Sequence, residues 1–110
     1  MVRLAEELLP ALDNLDRAIE ERTAAAEREG GDAPLLEGVR LVRSELHAAL
    51  ARMGIECFSP RGATFDPAEH EAMAQKPAGD AQRGTVVEVV QPGYRLGKSI
   101  IRPARVVVAG

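Results

Sequence analysis

Aliphatic residues recur at Leu4, Leu8, Leu12, Leu15 and Ile19, in steps of 4, 4, 3 and 4. Acidic residues Glu6, Glu7, Asp13, Asp16, Glu20 and Glu21 fill the positions between them. That spacing places one apolar stripe on one face of a helix. A second stripe runs through Leu35, Val39, Val42, Leu46, Ala49 and Met53 in steps of 4, 3, 4, 3 and 4. Two helices with one stripe each make only a hairpin, in which much of each stripe stays wet. A second copy that supplies two more helices closes a four-helix bundle. The 3,4 spacing suits helix partners better than a sheet, so Leu8, Leu12, Leu15, Ile19, Leu35, Val39, Val42 and Leu46 form the expected dimer interface. The alternative is that the stripes pack on the C-terminal sheet.

The breaks in the pattern set the boundaries. Pro10 removes a backbone donor within the first stripe, so the helix is expected to bend near Leu9 without ending there. Periodicity is lost from Thr23 to Ala33, where Gly30 and Gly31 mark a loop, although the alanines before them are able to extend the helix. Asp32 and Pro34 read as the start of the second helix, and Gly54 is placed to cap its end.

Beyond Gly54 the chain becomes rich in Val and Ile at Ile55 to Phe58, Thr85 to Val90, Ser99 to Arg102 and Arg105 to Ala109. These are strand segments. Pro92-Gly93 and Gly97-Lys98 supply tight turns, which predicts a meander of antiparallel strands with Pro103 at an edge or bulge. Asp66-Pro67-Ala68-Glu69 has the form of a capping box opening a short helix through Met73. The fold class is therefore α+β: a helical region over 1–54 that completes a four-helix bundle on dimerisation, then a small antiparallel β-domain over 55–110.

Charge narrows the functional classes. Residues 1–54 hold 7 basic and 11 acidic residues, and residues 55–110 hold 7 basic and 6 acidic. Arg95, Lys98, Arg102 and Arg105 are the only charged residues among the last twenty, which makes a local positive patch. Such a patch suits an acidic protein surface. With only Tyr94 nearby for stacking and a pI of about 5.4, nucleic acid is not expected as a partner. The single cysteine, Cys57, excludes an intramolecular disulfide and reads as a buried small side chain. No apolar run approaches the roughly 20 residues of a membrane span and no signal peptide is visible, so the expected location is the cytoplasm, away from membranes.

No catalytic constellation is found. Gly93-Tyr94-Arg95-Leu96-Gly97-Lys98-Ser99 ends like a phosphate-binding loop, but three residues separate its glycines where four are needed, and Ile100-Ile101 begins a strand rather than a helix. His70-Glu71 is half of a zinc protease motif whose second histidine position holds Ala74. Asp66, His70 and Ser59 do not make a triad, since Asp66 serves as a cap and Ser59 precedes Pro60 in a turn. His70 is expected to be a partly buried structural residue, and His47 a surface residue. No enzyme activity, metal, cofactor or small-molecule substrate is expected. What remains is a chain built to bind another protein, and a plain helical adaptor is the rival to any more specific reading.

Glu7-Leu8-Leu9-Pro10-Ala11-Leu12-Asp13-Asn14-Leu15-Asp16-Arg17-Ala18 resembles a signature of the GrpE family, the nucleotide exchange factors of the chaperone DnaK. Gly84-Thr85-Val86-Val87-Glu88-Val89-Val90-Gln91-Pro92-Gly93-Tyr94, followed by Ile101-Arg102-Pro103-Ala104 and Val106-Val107-Val108-Ala109, is similar to that family's C-terminal signature. Glu37-Gly38, Met53-Gly54-Ile55-Glu56, Phe65-Asp66-Pro67 and His70-Glu71-Ala72-Met73 fall between them in the family's order. The resemblance implies a homodimer with paired helices and a compact β-domain that wedges into the cleft of a DnaK-type ATPase domain so that ADP leaves. It also implies long N-terminal helices that are mostly absent from this sequence, which reads as a truncated piece or an unusually short member. By motif position it assigns Arg17, Gly38, Val90, Ser99 and Val108 to the chaperone contact. Relatives usually carry a base in the slot of Ser99; here the base is one residue earlier, at Lys98. Either the turn is remodelled so that Lys98 makes the contact, or that salt bridge is missing.

Overall fold

The computed structural model describes residues 2–30 and 33–110, which form two compact units, Met1–Met53 and Gly54–Gly110. Unit one holds α1 (Val2–Glu29) and α2 (Ala33–Arg52). Unit two holds β1 (Ile55–Phe58), β2 (His70–Lys76), β3 (Val86–Gln91), β4 (Gly93–Leu96), β5 (Ser99–Arg102) and β6 (Ala104–Ala109). The fold is α+β, as the apolar periodicities demand.

Helix α1 runs unbroken through Pro10. Pro10 and Glu6 are both exposed, so the Glu6 carbonyl that loses its intrahelical donor lies where water can reach it. The loop expected from Thr23 is corrected: α1 continues to Glu29. The alanines carry the helix, and Gly30, at φ 72°, ends it by donating its N–H to the Ala26 carbonyl at 2.7 Å. The expected start of the second helix at Asp32, with Gly31 before it, lies outside the described residues. Gly54, at φ 84°, stands just past the end of α2 as a left-handed cap.

Within the helical hairpin, burial divides each helix into two faces. Ala5, Leu9 and Leu12 of α1 and Leu36 of α2 are buried, and Leu15, Ile19, Val39 and Leu50 are half-buried. Asp16 and Thr23 extend the inner face of α1, because Arg43 pairs with Asp16 and Arg40 Nη2 donates to Thr23 Oγ1 at 2.7 Å. On α2 the inner face therefore runs Leu36, Val39, Arg43, His47 and Leu50, again in steps of 3 and 4. The stripe read from sequence as one seam lies about a quarter turn further round the helix. Leu4, Leu8, Leu35, Val42, Leu46 and Met53 are exposed, with Leu35 at 67% and Val42 at 52%. Leu12, placed by the sequence reading on the dimer face, is thus buried within the chain itself. His47, expected on the surface, is half-buried on the inner face of α2.

The β unit contains two three-stranded sheets, in the orders β1-β4-β5 and β2-β6-β3. The single antiparallel meander is corrected on two counts. Consecutive strands β3 and β4 belong to different sheets, as do β5 and β6; and β2 pairs with β6 in parallel, His70 opposite Ala104 and Lys76 opposite Ala109. Both changes of sheet occur at prolines, Pro92 and Pro103, which cannot donate to a ladder. The second sheet's central strand, β6, has neighbours on both sides, and Val106, Val107, Val108 and Ala109 are buried in succession rather than in alternation. Val86, Ala104, Val106 and Val108 make the core, with Phe58, Phe65 and Val89 packed against it.

The short helix expected from Asp66 through Met73 is also corrected. Asp66 does cap one turn: its Oδ1 accepts the Ala68 N–H at 2.9 Å, and its carbonyl accepts from Glu69 and His70 at 3.0 and 2.8 Å. The chain then becomes β2. A capping box needs the Glu69 carboxylate to reach back to the Asp66 N–H. Here that N–H donates to His70 Nδ1 at 3.0 Å, and Glu69 binds Arg95 at 3.1 Å instead. Pairing with β6 satisfies the backbone that the helix would have used.

Candidate functional site

Arg95, Lys98 and Arg102 sit on a β-hairpin made of β4 and β5, and Arg105 sits on β6 in the other sheet. β4 and β5 pair through Leu96 opposite Ser99, leaving Gly97-Lys98 as a two-residue turn. Gly97, at φ 59°, supplies the positive backbone angle that such a turn requires. The segment after Lys98 is a strand, so no helix N-terminus stands behind this loop to hold a phosphate.

The base of this hairpin is tightly fixed. Gly93 is buried, and a Cβ there would lie 2.4 Å from Phe58 Cζ and 2.7 Å from the Ala104 nitrogen, so only glycine fits. Tyr94 is 0% exposed. Arg102 donates to the Pro92 carbonyl at 2.8 and 3.2 Å and lies over the Tyr94 ring at 5.3 Å, which ties the last residue of β5 to the crossing between β3 and β4. Arg95 bridges Glu56 on β1 at 2.9 Å and Glu69 at 3.1 Å, with its guanidinium 4.7 Å above the Phe58 ring. The hydrogen bond to Glu56 is the main reason its proton is held more firmly than usual; burial opposes this and Glu69 adds to it.

These contacts sort the four bases of the C-terminal patch. Arg95 and Arg102 are engaged within the fold, and Arg105 lies 3.9 Å from the Glu71 carboxylate. Lys98, exposed at the tip, makes no hydrogen bond or ion pair among the described residues. Its charge is uncompensated by contact. Ser99 is exposed beside it, and Val90 on β3 is 56% exposed. Val108 is different: at 7% exposure its side chain belongs to the core of the β unit and is not presented at the surface. In the helical unit, Arg17 is exposed and donates to Asn14 Oδ1. Gly38 is exposed too, and a Cβ there would meet nothing within 4 Å.

The histidine in the β unit is structural. His70 is buried between Phe65 and Phe58, at ring distances of 5.8 and 6.5 Å, with Nδ1 accepting the Asp66 N–H. Among the described residues no three His, Cys, Asp or Glu side chains cluster to hold a metal ion. No helix among them is long and apolar enough to cross a membrane. Cys57 is half-buried on β1, opposite Tyr94.

Compared with known families, residues 1–110 match the family model described as GrpE. The chain belongs to the GrpE family. It is 41% identical over 111 residues to Protein GrpE of Mesorhizobium japonicum, covering 99% of this chain and 53% of that protein. It is 42% identical over 107 residues to Protein GrpE of Vibrio vulnificus, covering 97% and 52%, and 41% identical over 111 residues to that of Methylococcus capsulatus, covering 97% and 56%. The chain spans about half the length of the curated relatives it matches. GrpE proteins are a co-chaperone family. The GrpE match takes in both units, so the helical hairpin and the β unit are both family parts.

Sequence reasoning missed the structural bases of this surface. Arg95 and Arg102 looked equivalent to Lys98, and only their partners, Glu56, Glu69 and the Pro92 carbonyl, separate them. The alternation of Glu56 and Arg95 with apolar neighbours was a legible cue, but it needs the β1–β4 register, in which they stand opposite each other.

Proposed function

We propose that this chain is a cytoplasmic nucleotide exchange factor that acts as a homodimer and promotes ADP release from a DnaK-type chaperone, its β unit wedging into the cleft of the ATPase domain. The observation that carries the proposal is the exposed tip of the β4–β5 hairpin. A rigid base presents one uncompensated cation, Lys98, beside Ser99, with Val90 as an exposed apolar residue of the same unit. That combination suits a protein surface with an acidic group near an apolar patch.

Exchange then follows from linkage. If the β unit binds the open arrangement of the ATPase lobes better than the closed one, it shifts the population toward open. Nucleotide, which prefers the closed arrangement, is weakened by the same coupling free energy. The factor performs no bond chemistry and needs no cofactor. Arg17 and Gly38 belong to the proposed contact from the helical side, where the absence of a Gly38 side chain lets a partner approach the α2 backbone. The exposed stripe of Leu8, Leu35, Val42 and Leu46, with half-buried Leu15, Ile19 and Val39 along its flank, is the proposed dimer face.

Stopped-flow release of a fluorescent ADP analogue from a DnaK-type ATPase domain tests this. Release that accelerates in proportion to added protein is the expected result. Unchanged release with binding still measurable would leave a docking adaptor, and no binding at all would remove the chaperone as partner.

A further inference from the structure

The inner face of the helical hairpin is not apolar throughout. Below Leu36 it carries polar rungs: Arg40 donates to Thr23 Oγ1, which itself donates to the Ile19 carbonyl at 2.7 Å, and Arg43 pairs with Asp16. One turn further along α2 stands His47, half-buried, and then Leu50. Opposite, α1 presents buried Leu9 and Leu12 beside Asp16, with Asp13 half-buried on its flank. Among the described residues, the charged groups that act on His47 are Arg43 on its own helix and Asp16 on α1, with Asp13 one turn before Asp16. A protonated His47 would stand as a second cation on the α2 side of this rung, one turn from Arg43.

We propose that the Asp16, Arg43 and His47 rung is an acid-sensitive latch: protonation of His47 loosens α2 from α1 and so weakens the helical unit that carries the exposed apolar stripe. The geometry gives the reason, since a cation at His47 must be taken from water into a half-buried seam next to the Arg43 guanidinium. The electrostatics of the seam agree in direction. Burial first, and Arg43 second, hold the His47 pKa below its ordinary 6.5, against a smaller upward pull from Asp16. The folded hairpin therefore favours neutral His47 more than the unfolded chain does. Its contribution is present in full above the unfolded value and is lost as pH falls through the depressed folded value.

The test is thermal unfolding of the full chain, followed by helical circular dichroism between about pH 7.5 and about pH 5.5, together with an NMR titration of the two histidines. His47→Gln is expected to remove much of the fall in Tm seen with acid in the parent. His47→Arg is expected to show the lowered Tm already at neutral pH. In the NMR titration, His47 is expected to protonate below the value of a free histidine. An acid-induced fall in Tm that is the same in His47→Gln as in the parent would overturn the latch. So would a His47 that titrates at or above the free value, a reading that needs no variant to fold.

Discussion

Tyr94, Ala104 and Val106 are sealed inside the β unit, whereas Leu35, Val42 and Leu46 stand open on α2 of the helical hairpin. The β unit closes its core with its own residues: the chain crosses between two small sheets at Pro92 and Pro103, and β6 is paired along both edges. The helical hairpin spends its inner face on a mixture of Leu and ion-paired side chains and leaves an apolar stripe uncovered. A contiguous exposed stripe of that kind marks an interaction surface. The difference teaches that one unit closes its core with its own residues, whereas the other leaves an apolar face open.

The largest effect is expected where the closed unit is tightest. Gly93→Ala forces a methyl against Phe58 and the Ala104 backbone, and is expected to cost about 3 kcal/mol of the β unit's stability, read by urea unfolding with the single tyrosine as probe. A loss within about 0.5 kcal/mol would mean that the crossing between the sheets is slack. For the open unit, Val42→Asp places a charge on the uncovered stripe and is expected to weaken self-association roughly a hundredfold in sedimentation experiments, while the monomer keeps its helicity. Unchanged association would move the dimer face off this stripe.

Smaller effects sharpen the comparison at the proposed chaperone contact. Gly38→Asp fills open space on α2 and is expected to reduce chaperone binding roughly tenfold by calorimetry with the dimer intact. Equal binding would take Gly38 out of the contact. Lys98→Ala is expected to weaken binding roughly fivefold at low salt and less as salt rises, and Ser99→Ala to change it less than about twofold. The reverse order would show that Ser99 fills the contact slot and that the cation beside it is incidental.

Much of the helical unit was legible because helix formation is local. The 3,4 spacing from Leu4 to Ile19 and from Leu35 to Met53 fixes two helices, and Gly30 and Gly54 end them through positive backbone angles that other residues resist. The spacing did not say that each helix has a second, inner face, because Arg43 and His47 look like surface residues until Asp16 stands across from them. In the β unit the strands Ile55 to Phe58, Thr85 to Val90, Ser99 to Arg102 and Arg105 to Ala109 were legible from their Val and Ile content. Strand β2 was not: Ala72, Met73, Ala74 and Gln75 favour a helix, and an apparent capping box precedes them.

The sequence by itself determined the α+β class, the change of character at Gly54, the turn at Gly97-Lys98 and the family signatures, since each rests on residues near one another in the chain. Tertiary structure decided the rest. It sent consecutive strands to different sheets, made β2 a strand by parallel pairing with β6, drew Arg95 and Arg102 into the fold, and left Lys98 uncompensated. The physical reason is that hydrogen-bond partners and charge partners are assigned across space. The Asp66 N–H goes to His70 and the Glu69 carboxylate to Arg95, a choice that no local pattern encodes.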